Sequence, residues 1–139
     1  MPRDDQPLEI TPGLLLQAYS SGVFPMADTA EETIHWIDPL MRGVLPLAAL
    51  HVSRSLRKTI LRGGYIVTLD TAFEEVMRAC ADRDETWISE DLIAAYTGLH
   101  HQGFAHSVEL RDLDGTLMGG LYGVSMGGAF FGESMFSRR

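Results

Sequence analysis

The sequence predicts an α+β protein, with a small N-terminal α/β unit followed by a domain built on an antiparallel sheet. Three observations carry this. Apolar residues recur at helical spacing in separate stretches, as in Phe73, Val76, Met77 and Cys80, or Leu92, Ile93, Tyr96 and Leu99. From Ala105 the spacing changes to two, with His106, Val108 and Leu110 alternating against Ser107, Glu109 and Arg111. Asp114-Gly115 and Gly127-Gly128 then place tight turns between the resulting extended runs. The 139 residues suit one domain or a small unit leaning on a partial second one, and the boundary falls naturally at 1–62 and 63–139. There is no internal repeat, low-complexity tract or flexible linker.

Taken in order, Thr11 before Pro12 marks a helix start, Leu14, Leu15, Leu16 and Tyr19 give it an apolar side, and Gly22 ends it, so a helix is expected over 12–21. The GVFPM stretch reads as a turn, and 33–46 as short extended pieces broken by Pro39, Gly43 and Pro46. Ser53 caps a helix over 53–62 that Gly63 and Gly64 terminate. YIVTL, at 65–69, is β-branched and aromatic and reads as a strand. Thr71 with Glu74 has the form of a capping box opening the next helix, whose periodic Cys80 is then a buried core thiol. Ser89, followed by Glu90 and Asp91, opens another helix that Gly103 closes. Strands over 106–111 and 116–125 pair as a hairpin, and AFFGE adds a third. SMFSRR is expected to follow that strand, with no helix after it to cover the sheet, which points to a shortened polypeptide with an open sheet edge and face.

Composition excludes several classes. A 45% apolar share is that of a folded chain, a single cysteine cannot close an internal disulfide, and the acidic, Pro-containing start lacks the basic and apolar regions of a secretory signal. A reducing, cytoplasmic setting is expected. The longest uncharged apolar stretch, 44–50, contains Pro46 and is far short of the ~20 residues needed to span a bilayer, so no membrane association is expected. The net charge of −8 is unevenly distributed: no acid lies between Asp38 and Asp70, where Arg42, Arg54, Arg57, Lys58 and Arg62 fall. On the 53–62 helix, Arg54, Arg57, Lys58 and Arg62 line one side, which suits either phosphate binding or a solvated face.

The motifs are mostly exclusions. Gly123-Val124-Ser125-Met126-Gly127 fits G-x-S-x-G but runs into Gly128 and a further strand rather than a helix, so it reads as a glycine-rich hairpin. His100, His101 and His106 lack the companions of a zinc site, and no metal or cofactor is expected. Neither a dinucleotide fingerprint nor a P-loop occurs. Glu133 is the one acid after Asp114, set between Gly132 and Ser134 with Phe130, Phe131, Met135 and Phe136 nearby. Such a carboxyl is either a partly desolvated functional group or the cap of a following helix. Trp36 and Trp87 stand beside loops, placed either to stack on a base or to pack in the core.

GGLYGV at 119–124 and GESMFSR at 132–138 resemble the signature of the leucyl/phenylalanyl-tRNA–protein transferases. The resemblance runs collinearly through ITPGLLLQAYSSGVFPM, HWIDPLMRGVL, LHVSRSLRK, TWIS and GFAHSVE, and covers about residues 8–138. It implies an enzyme that moves Leu, Phe or Met from an aminoacyl-tRNA to acceptor proteins with N-terminal Arg or Lys, as in the bacterial N-end rule degradation pathway. It also implies that 63–139 is part of a domain similar to GCN5-related acetyltransferases, without acetyl-CoA as donor; 105–139 indeed lack a [QR]-x-x-G-x-[GA] pyrophosphate loop. By resemblance Glu133 is the catalytic contact for the acceptor amine or the reacting tRNA end, and Leu121, Phe130 and Met135 line the amino-acid pocket. Trp36 and Trp87 match positions near the terminal adenosine and aminoacyl group, while Arg42, Arg54, Arg57, Lys58 and Arg62 would meet the acceptor-stem backbone. Family members continue past ESMFSR with a helix and a strand bearing an Asp-Cys-Gln motif. The expectation is therefore a C-terminally shortened member holding part of the active site and having little or no activity alone. The rival expectation is an inactive fragment that binds tRNA or a complementing partner chain.

Overall fold

A computed structural model describes residues 9–28 and 33–138, so the acidic N-terminal stretch lies largely outside the described residues. The element order is α1 (Pro12–Ser20), β1 (Phe24–Ala27), β2 (Ile34–Ile37), a 3-10 turn (Leu47–Ala49), α2 (Arg54–Arg62), β3 (Tyr65–Leu69), α3 (Phe73–Ala81), α4 (Glu90–His101), β4 (Ala105–Asp112), β5 (Leu117–Met126) and β6 (Ala129–Ser137). The fold is α+β. An antiparallel sheet of order β3-β4-β5-β6 carries the second half, and β1 and β2 form a separate two-stranded ribbon.

Local chemistry accounts for most of these boundaries. The hydroxyls of Thr11, Ser53 and Ser89 accept from the N–H groups of Leu14, Leu56 and Leu92, capping α1, α2 and α4. Gly22, Gly103, Gly115 and Gly127 hold positive φ values of 82°, 86°, 87° and 60° at the turns where a left-handed residue is needed. Two expectations are corrected. GVFPM is not a turn: Phe24–Ala27 is a strand, with Pro25 opposite Trp36 in a two-stranded ribbon. Proline is tolerated there because a ribbon strand has a free edge on which its missing N–H leaves no ladder bond unmade. The Thr71–Glu74 capping box does not form either. Instead Glu109, reaching from β4, accepts from the N–H groups of Thr71 and Ala72 at 2.6 and 2.7 Å and from the Thr71 hydroxyl at 2.5 Å. A buried carboxylate from across the sheet outcompetes the local cap because it serves two orphan N–H groups together and sits at the positive end of the helix.

The core lies on one side of the sheet. Leu15 and Tyr19 of α1, Val76, Met77 and Cys80 of α3 and Leu92, Tyr96 and Leu99 of α4 pack over Tyr122 and Val124. Met77, Leu92 and Leu99 retain no accessible surface, and each contributes roughly 1.5–3 kcal/mol of hydrophobic stabilisation. Ala105, Ser107 and Glu109 point into this layer, whereas Val67, Leu69 and Leu110 lie exposed on the opposite face. That outer face has no helix over it among the described residues. Every residue from 40 to 64 is exposed, so α2 stands away from the core with Leu56 and Ile60 on one side and its four cations on the other.

Candidate active site

The site follows from an irregularity in the sheet. Between β5 and β6 the register shifts at Tyr122/Gly123: Tyr122 pairs with Ser134 and Gly123 with Gly132, which leaves Glu133 as an inserted residue. Such a bulge breaks strict alternation. Phe131 contacts Tyr19 in the helix-covered layer, Ser134 pairs with the buried Tyr122 of the same layer, and Glu133 between them accepts from the Tyr19 hydroxyl. Phe131, Glu133 and Ser134 therefore share the covered face. Glu133 lies inside β6, which runs on through Ser137, so SMFS belongs to the strand rather than following it. The helix-cap reading of Glu133 drops out.

Around Glu133 the side chains form a short relay. Tyr19 and Tyr96 hydroxyls are 2.7 Å apart; because the Glu133 carboxylate is served by Tyr19, the Tyr96 hydroxyl donates to Tyr19. Both rings are buried, and Tyr96 meets Tyr122 edge-on with centroids 5.9 Å apart. Burial pushes the Glu133 carboxyl above its usual range, and the Tyr19 hydrogen bond with the nearby Arg42 charge opposes that shift. Burial likewise drives the Tyr19 and Tyr96 phenols far upward, so they remain neutral donors. Arg42 donates to the Gly22 carbonyl at 2.7 Å and stacks over Phe24 and Phe131, its guanidinium carbon 5.9 and 5.6 Å from the ring centroids. It is thus a neighbour of Glu133 and is set apart from the cations of α2.

The other expected site residues fall in three places. Leu121, paired with both Val108 and Met135, shares the open outer face of the sheet with Met135. Phe130 joins them: a Cβ built on Gly123 would lie 2.5 Å from the tip of its ring, so the ring is seated over that glycine. These three therefore lie on the opposite face of β6 from the Glu133 carboxyl, and β6 is one of the two outer strands of the sheet among the described residues. Trp36 is partly exposed on the ribbon, and Trp87 packs against the core while its carbonyl accepts from Ala27 N–H at 2.9 Å. Arg54, Arg57, Lys58 and Arg62 all lie on the exposed α2. Among the described residues no group of three or more His, Cys, Asp or Glu is placed to hold a metal ion, and no helix is long and apolar enough to cross a membrane.

Tyr19 and Tyr96 were not legible as site residues, because their helical spacing assigns them to the core and only the tertiary fold brings their hydroxyls to Glu133. A bulged antiparallel sheet with a sheltered tyrosine–carboxylate relay under one face, together with an exposed cationic helix, defines the class as an α+β protein. The leucyl/phenylalanyl-tRNA protein transferase family matches residues 44–139, and the N-terminal domain of the same family matches 9–40. The chain belongs to that family. It is 52% identical over 136 residues to the leucyl/phenylalanyl-tRNA–protein transferase of Dinoroseobacter shibae, a match covering 97% of this chain and 60% of the relative. The like-named proteins of Rubrobacter xylanophilus and Paramagnetospirillum magneticum are 56% and 55% identical, covering 95% and 94% of this chain and 69% and 64% of theirs. The chain thus spans about three fifths of the length of most of these curated relatives.

Proposed function

We propose that this chain takes part in transferring Leu, Phe or Met from an aminoacyl-tRNA to the N-terminal Arg or Lys of an acceptor protein, in the cytoplasm and in the service of N-end rule degradation. The collinear match to both family regions carries the reading, and the site chemistry is compatible with it. An aminoacyl ester is already activated, so the acceptor amine attacks the ester carbonyl, the C–N bond forms, and the C–O bond to the tRNA ribose breaks as its oxygen takes up a proton. What a protein adds is position, proton handling and stabilisation of the developing oxyanion.

Within this reading Glu133 meets the acceptor amine or the reacting end of the tRNA, and the Tyr19–Tyr96 relay holds its carboxyl in place. Leu121, Phe130 and Met135 receive the amino-acid side chain. Arg54, Arg57, Lys58 and Arg62 meet acceptor-stem phosphates, and Arg42 acts nearer the carboxylate. The tryptophans are placed beside the terminal adenosine and the aminoacyl group. A domain similar to GCN5-related acetyltransferases over 63–139, with 1–62 as the smaller unit, fits the same picture.

The exposed outer face, with Leu69 and Met135 at 68% and 64% exposure, favours a second reading in which the chain binds tRNA without turnover until a complementing polypeptide is present. One assay separates them: labelled Phe-tRNA is incubated with the chain and peptides starting with Arg, Lys or Ala. Label on the Arg and Lys peptides alone supports transfer; tRNA binding without label selects the second reading; neither binding nor label defeats both.

A further inference from the structure

His106 lies outside the residues that the proposed function uses, yet it stands on the same open face as Leu121 and Phe130. It pairs across β4 and β5 with Gly123, the glycine over which the Phe130 ring is seated. Partners directly opposite one another in a sheet project to one face with Cβ positions about 4.5–5.5 Å apart, so His106 is the immediate cross-strand neighbour of the position that the Phe130 ring covers. Gly132, next in the same row on β6, leaves that row without side chains beyond His106.

The imidazole is held in one orientation. Its Nδ1 lies 2.8 Å from Asp70 Oδ2, and Asp70 Oδ1 accepts from Ser107 N–H at 2.9 Å. Asp70 N–H in turn donates to the Ser107 carbonyl at 2.9 Å, so this aspartate is fixed from both ends. It is also the one non-glycine residue at positive φ among the described residues, at 58°. Backbone held in a sparsely populated conformation by surrounding contacts marks a side chain whose placement matters. Burial opposes ionisation of Asp70, but the hydrogen bonds from His106 and Ser107 lead the influences that outweigh it and hold the carboxyl below its usual value. An anionic Asp70 only accepts, so a neutral His106 carries its proton on Nδ1 and presents a lone pair at Nε2. Nε2 has no hydrogen-bond partner among the described residues, and the ring is 39% exposed.

We infer that His106 Nε2 is the acceptor for the α-amino group of the esterified amino acid, with Asp70 as the positioning residue that fixes its tautomer. This rests on the proposed function, which puts the amino-acid side chain against Leu121, Phe130 and Met135. In an aminoacyl ester the α-amino group branches from the carbon that bears that side chain. A side chain lying over Phe130 and Gly123 leaves the amine one cross-strand step from His106, on the same open face. The apolar residues select the side chain, and His106 distinguishes an α-amino acid from an acid of the same shape.

The test uses two hydrolysis-resistant probes, adenosine joined at its 3′ position through an amide to phenylalanine or to 3-phenylpropionic acid, which lacks the amine. Titration into the 139-residue chain is expected to show the amine-bearing probe binding about tenfold more tightly, the size of a hydrogen bond to a charged group. His106→Ala and Asp70→Asn should erase this preference while leaving the affinity for the des-amino probe within about twofold, with circular dichroism showing each variant folded. Nitrogen-15 NMR of the wild-type imidazole is expected to show an Nδ1–H tautomer whose Nε2 resonance moves with the amine-bearing probe alone. Retained preference in folded His106→Ala, or an unmoved Nε2 resonance, overturns the inference while leaving the proposed function intact. Failure of the des-amino probe to bind removes the amino-acid pocket itself, and with it both readings.

Discussion

Tyr19→Phe isolates the relay beneath Glu133, because it deletes one hydroxyl and leaves the ring that packs on Tyr96 and Phe131. That hydroxyl donates to Glu133 and accepts from Tyr96, so its loss strands one buried phenol and takes the donor from a sheltered carboxylate. An orphaned buried hydroxyl costs about 1–3 kcal/mol, and a hydrogen bond to an ionised group is worth about 1.5–3 kcal/mol. The two parts separate by pH. Glu133 has a folded pKa above its ordinary value of 4.5, so between 4.5 and that raised value the folded state binds more protons than the unfolded chain. Stability from this group is therefore full below 4.5 and falls as pH rises through the folded value. Removing Tyr19's hydroxyl, which opposes the upward shift, moves the folded pKa higher still and deepens that fall. Urea unfolding of both proteins at pH 5 and pH 8 should give a loss of about 1–3 kcal/mol at the lower pH and a larger one, by about 1 kcal/mol or more, at the higher. An equal loss at both pH values would mean that Tyr19 does not serve an ionised Glu133, and the relay argument would fail.

Four further outcomes follow from particular contacts. Glu133→Gln, which still accepts from Tyr19 but never ionises, should match or exceed wild-type stability at pH 8 by chemical unfolding, and under the proposed function it should abolish whatever transfer to Arg-starting peptides the wild-type chain supports. Gly123→Ala places a Cβ 2.2 Å from the Phe131 carbonyl oxygen and should cost about 3 kcal/mol or more by thermal unfolding, whereas Gly128→Ala, with open space around it, should stay within about 0.5 kcal/mol of wild type. Glu109→Ala leaves the N–H groups of Thr71 and Ala72 unpaired at the start of α3, and a loss of about 2–5 kcal/mol is expected, with amide hydrogen exchange fastest in that first turn. Replacing Arg54, Arg57, Lys58 and Arg62 together by Ala should leave the melting temperature of the core nearly unchanged, since all four are exposed, and should flatten the salt dependence of tRNA binding.

How far the sequence reaches depends on whether the deciding interaction is local. The Ser53 and Ser89 caps, the Gly22 and Gly103 stops and the hairpin at Asp114-Gly115 were all readable, because each involves residues within four positions. The ribbon strand at Phe24–Ala27 was hidden by Pro25, whose turn preference yields when a free edge is available. Thr71 and Glu74 carried the right spacing for a capping box but lost to Glu109, 38 residues away from Thr71. The candidate site was half legible. Glu133 stood out as a lone acid among aromatics, and its burial follows from that setting. The residues that shelter it are Tyr19, Tyr96 and Phe131 rather than Phe130 and Met135, because a single inserted residue in β6 turns the carboxyl to the opposite face. A bulge leaves no local signature when, as here, several glycines could mark it.

The proposed function requires this fold to recognise a tRNA together with the amino acid it carries. Equilibrium binding of Phe-tRNA and of the same tRNA stripped of its amino acid, measured across a salt series on the intact chain, tests that claim directly. Burying a phenylalanine side chain against Leu121, Phe130 and Met135 should favour the charged form by about 1.5–3 kcal/mol at every salt concentration, while both affinities fall together as salt rises. Equal affinity for charged and stripped tRNA would contradict it.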